Sequence, residues 1–114
     1  MIPNLEQIGE NIRESFSVKD AAREKALRLC RETIRHSANA IRAVHRGEYV
    51  PAQTSLDTAR SHLNEVSETL SEHSELLYGR FVHGAQKEYA EGSITLALVT
   101  GGVLPDPSAL GVRH

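Results

Sequence analysis

The sequence predicts an all-α fold, an antiparallel bundle of about four or five helices in one domain, residues 1–114. Apolar residues recur three and four apart along most of the chain, which is the helical period. Val18 to Arg46 contains neither Pro nor Gly. No stretch alternates apolar and polar residues as a half-buried strand does.

The first element is a short amphipathic helix, about residues 4 to 16, carried by Leu5, Ile8, Ile12 and Phe16. Asn4, with Gln7 three residues on, is a capping start. Ser17 followed by Asp20 resembles a second cap. From Val18 a helix of roughly 29 residues, about 43 Å long, runs to Arg46. Gly47 then supplies a left-handed terminator. Its apolar face is Ala22, Ala26, Leu29, Cys30, Thr33, Ile34, Ser37, Ala40, Ile41 and Val44, many of them small enough to admit a close neighbour.

Pro51 suits the first turn of a third helix. There Ala52, Leu56, Ala59, Leu63, Val66 and Leu70 alternate four and three apart and form the seam of an antiparallel packing. Ser74 and Glu75 open a fourth helix that carries Leu77, Phe81, Ala85 and Tyr89 and extends to about Thr100. Gly79, Gly84 and Gly92 weaken it by about 1 kcal/mol each and point to close packing or bends. Gly101 and Gly102 stop it, and Leu104 to His114 reads as loop. The apolar run Ile94–Leu104 expects a partner. The expectation is therefore a truncated chain or a surface completed by oligomerisation.

Composition narrows the function. A chain 39% hydrophobic and 25% charged is not disordered. Its longest apolar run falls short of the ~20 residues that span a bilayer, so no membrane partner is expected. No signal-peptide pattern opens the chain, and the single cysteine fits a reducing, cytoplasmic setting. A net charge of −2 argues against an evenly basic nucleic-acid binder but allows a local basic stripe. The absence of Trp and the scarcity of Phe and Tyr argue against a base-stacking platform.

Arg28, Arg31, Arg35, Arg42 and Arg46 fall within an arc of about 60° on the long helix, opposite its apolar face. The row is about 27 Å long and spans several phosphates of a single strand. Arginine, unlike lysine, suits bidentate phosphate contact. A solvated helix back, partly neutralised by Glu24 and Glu32, is the plain alternative. Glu88 and Glu91, three apart, are expected on the inward face of the fourth helix with Leu77, Phe81, Thr95 and Val99. Such a pair can hold Mg²⁺ or Mn²⁺ between helices, although a hydrolytic site needs a third acid. Rim carboxylates paired to arginines are the alternative. The six histidines read as structural or surface residues, and Cys30 as a small core residue.

Two stretches resemble the translin family. One is Ile41-Arg42-Ala43-Val44-His45-Arg46-Gly47-Glu48-Tyr49, followed by Ala52. The other is Phe81-Val82-His83-Gly84-Ala85-Gln86-Lys87-Glu88-Tyr89-Ala90-Glu91. Their order and spacing also match, over about Leu5 to Gly111, and the likeness is to the short archaeal and other prokaryotic members. The resemblance implies an all-helical subunit that assembles into an octamer, as the full-length family does, and binds single-stranded RNA or DNA. For the branch similar to translin-associated factor X it implies Mg²⁺-dependent cleavage of single-stranded RNA. Glu88 and Glu91 match the glutamates of its Glu-Tyr-x-Glu motif, and a further aspartate comes from a later helix absent from this sequence. Gly84 stands where many members carry an acid, and Gly92 where they carry Ala.

The expected function is single-strand binding with a Mg²⁺-dependent endoribonuclease site. The alternatives are a non-catalytic helical oligomer that binds single strands by charge, and an interaction fragment. The fragment would dock its Ala52–Leu70 seam and apolar tail onto another subunit.

Overall fold

One continuous helix, α1 (Leu5–His45, 41 residues), forms the spine of the protein. The computed structural model describes residues 4–77 and 79–101. The break expected at Ser17 does not occur. Ser17 and Asp20 are good caps, but in a helix interior they cost only a few tenths of a kcal/mol more than Ala, roughly, and no Gly or Pro between residues 10 and 46 forces an end. Asn4 is the N-cap residue, yet its side chain makes no capping bond; Gln7 instead donates to Asn11 at 3.0 Å.

Gly47 ends α1 as expected, at φ 75°. Its N–H donates to the Val44 carbonyl at 2.9 Å, and the Glu48 N–H to that of Ala43 at 2.8 Å. This is the Schellman arrangement, which needs a left-handed residue at that point. The chain reverses into α2 (Tyr49–Thr69), with Pro51 in its first turn. After Leu70 a turn leads to the single-turn α3 (Ser74–Leu77), and α4 follows (Arg80–Thr100). The sequence predicts one fourth helix from Ser74, with close packing or bends at its glycines. It is interrupted at Gly79, which is extended at ψ 165° and so cannot continue a helix. Gly101, at φ 72°, closes α4. The expected loop Leu104–His114, and Gly102, lie outside the described residues.

The fold is all-α, and no strand occurs among the described residues. Three long helices run up, down and up. The lower core joins Ala26, Leu29 and Cys30 of α1 to Leu63 and Val66 of α2, Leu70 just beyond it, and Val82 and Ala85 of α4. The upper core joins Ala40, Ala43 and Val44 to Ala52, Leu56 and Leu96. Tyr89 packs against both. Every residue of the Ala52–Leu70 seam is buried. That seam is consumed inside the protein and is not free to dock another subunit.

Between the two cores the helices touch through small groups. Thr33 and Ser37 are fully buried, and a Cβ on Gly92 would lie 2.9 Å from Leu56 Cδ2 and 3.4 Å from the Ser37 carbonyl oxygen. Ile34, expected on the apolar face of α1, is instead 39% exposed. At the other end of α1, Leu5, Ile8, Ile12 and Phe16 stay exposed because the helix outruns its partners. A 41-residue helix is about 62 Å long, which accounts for a molecule of 72 × 23 × 17 Å. Among the described residues no helix is long and apolar enough to cross a membrane.

Candidate functional site

All five arginines of the predicted row are exposed: Arg28, Arg31, Arg35 and Arg42 on α1, and Arg46 at its C-cap. Two are tied to carboxylates: Arg35 to Glu32, and Arg46 Nε to Glu48 Oε2 at 3.2 Å. Arg42 donates to the neutral Asn39. Among the described residues Arg28 and Arg31 have no ion pair, and the expected neutralisation by Glu24 does not occur. Three guanidiniums of the row therefore keep their full charge for an incoming anion. The fixed helix backbone sets their spacing.

The carboxylate pair is placed differently from the expectation. The buried face of α4 is Val82, Ala85, Gly92 and Leu96. Glu88 is half-buried at the edge of that face and Glu91 is exposed, with Val99 50% exposed beside them on the outer side. The large apolar residues Phe81 and Val99 suggested one contact face. The real one is set by the small residues Ala85 and Gly92, which let α4 approach α1 and α2 closely, and it is rotated by about 80° from Glu88. No third acid joins Glu88 and Glu91 among the described residues, and none of the five arginines pairs with either. The pair and the arginine row sit on different helices and are not brought together.

The structure assembles a group that the sequence reading passed over. Glu32 and His36 of α1 and His62 of α2 place one ligand-type atom each within 4.8 Å of one another. His36 Nε2 lies 3.9 Å from Glu32 Oε2, and the two imidazole centroids are 5.6 Å apart. The hydrogen bond from Arg35 holds the Glu32 carboxyl below the usual carboxylate range. Burial, then the charges of Arg35 and His62, push His36 below the usual imidazole value, against the opposing pull of Glu32. In its neutral form the His36 imidazole has a lone pair to offer. The available sequence signal is Glu32-x-x-x-His36, an i, i+4 pair on one helix face.

Cys30 is 2% exposed, and burial pushes its thiol from 9.0 up to about 11. It is a core residue and a poor nucleophile. Because the unfolded chain releases this proton first, stability should fall between pH 9.0 and about 11, by about 2 kcal/mol from this group. Urea melts across that range should show the slope in the wild type and a correspondingly flatter one in Cys30→Ala.

Comparison of the chain with protein-family models, with curated proteins and with solved structures finds no match.

Proposed function

We propose that this protein binds single-stranded RNA or DNA along the arginine row of α1, as an all-helical protein of translin type. The observation that supports it is the row itself. Five exposed guanidiniums, three without a carboxylate partner among the described residues, are spaced over about 27 Å along α1 and its C-cap residue Arg46. A disordered basic tail would have to be ordered on binding; this row is already in place. The exposed stripe Leu5, Ile8, Ile12 and Phe16 supports assembly with further copies of the chain. The test of binding is fluorescence anisotropy of a labelled single-stranded 20-mer over a range of salt. Log affinity should fall with log salt with a slope of about −2 to −3.5, from roughly −0.7 per phosphate neutralised. Absence of binding at low salt, or affinity indifferent to salt, overturns the reading.

Mg²⁺-dependent endoribonuclease activity, which the translin resemblance implies, would rest on Glu88 and Glu91. The described residues offer the ion these two carboxylates and no third acid, so the fit is incomplete and no cleavage step is assigned to them. Incubation of labelled RNA with Mg²⁺ and with EDTA decides the point. Metal-dependent cleavage that disappears in Glu88→Ala assigns the pair, whereas intact RNA in both leaves binding as the function.

A further inference from the structure

We propose that Glu32, His36 and His62 form a Zn²⁺ site that clips α1 to α2. The site is separate from Glu88 and Glu91 and does not depend on nucleic-acid binding.

The geometry starts with the helices. Residues four apart share a face, so Glu32 and His36 project side by side from α1 toward its boundary with α2. The antiparallel α2 brings His62 to the same level, where it packs at 34° to the His36 ring. All three side chains are half-buried, held by the helix interface yet open to solvent on one side. Bonds of roughly 2.0–2.2 Å in a tetrahedral site place ligand atoms about 3.4 Å apart. The present spread, up to 4.8 Å, closes by small side-chain rotations on a backbone that need not move.

The donor set selects the ion. Two imidazoles and one carboxylate suit Zn²⁺ and its neighbours in the first transition row, and are a poor cage for Mg²⁺, which wants oxygen ligands. Three protein ligands leave a fourth position for water or an incoming group. Glu32 can serve although it already accepts from Arg35, because a carboxylate has lone pairs to spare on its two oxygens. A carboxylate–imidazole ion pair is the simple rival account of this contact. It explains the proximity of Glu32 and His36 but not the second imidazole.

The test is titration of tag-free protein with Co²⁺ as a spectroscopic stand-in for Zn²⁺, followed by displacement with Zn²⁺ and by thermal melts. Visible d–d bands of a low-coordinate site should appear, Zn²⁺ should abolish them, and millimolar Mg²⁺ should not. A hundredfold excess of Zn²⁺ over its Kd should raise Tm by about 10 °C, because only the folded chain brings α1 and α2 together. His36→Ala and His62→Ala should each weaken binding by more than about 100-fold, since loss of a ligand outweighs loss of an outer-shell partner. His45→Ala, at the exposed end of α1, should leave it unchanged. Neither histidine is in the core, and circular dichroism of the metal-free variants checks that they fold. Absence of Co²⁺ bands, a Tm indifferent to Zn²⁺, or full binding in folded His62→Ala overturns the site.

Discussion

Reversing Arg28, Arg31 and Arg42 to Glu together should weaken single-strand binding by at least about a thousandfold, because each lost charge-assisted phosphate contact removes roughly 1.5 kcal/mol or more. The new carboxylates add repulsion to that loss. These three are the arginines of the row without a carboxylate partner among the described residues, so their removal orphans no acid in the folded protein. All three are exposed, and such sites change stability by about 0.5 kcal/mol or less each. The melting curve should therefore stay close to that of the wild type while the salt slope flattens by about 2. Arg13, Arg80 and Lys87, exposed and outside the row, reversed to Glu together are the matching control for net charge. Equal loss in the control would show that overall charge governs binding and the α1 row does not.

The arginine row was legible in the sequence because it depends on one helix alone. Periodicity places Arg28 to Arg46 on a single arc without knowledge of any neighbour, and the same holds for the Ala52–Leu70 seam and for the stops at Gly47 and Gly101. The features that escaped depend on two helices at once. Phe81 and Val99 are larger than Ala85 and Gly92, so hydrophobicity points to the wrong face of α4; the face is chosen by how closely α4 can approach Ser37 and Leu56. Glu32 and His36 gave a weak local signal that gains meaning only when α2 delivers His62. The missed junction at Ser17 has another cause. Capping residues permit a helix start but do not compel one, and nothing between α1's arm and its packed half breaks the backbone hydrogen bonds.

Gly92→Leu should destabilise the fold by about 3 kcal/mol or more, and Gly84→Ala should stabilise it by about 0.5–1 kcal/mol. Both glycines lie in α4, and both substitutions improve intrinsic helix propensity by a similar amount. They differ in what the new side chain meets. At Gly84 nothing lies within 4 Å of an added Cβ, so the gain in propensity is realised without a clash. At Gly92 the first added carbon already stands 2.9 Å from Leu56 Cδ2, and Leu56 is buried in the upper core with little room to swing. The remaining carbons of a leucine would have to displace α4 from Ser37, opening both cores to which Tyr89 is packed. Thermal melts should show a fall of roughly 10–20 °C for Gly92→Leu and a rise of several degrees for Gly84→Ala. A Gly92→Leu protein as stable as the wild type would mean that α4 does not lie against Ser37 and Leu56. The outward placement of Glu91 would fall with that contact, since the rotation of α4 that puts Gly92 inside is the same rotation that leaves Glu91 in solvent.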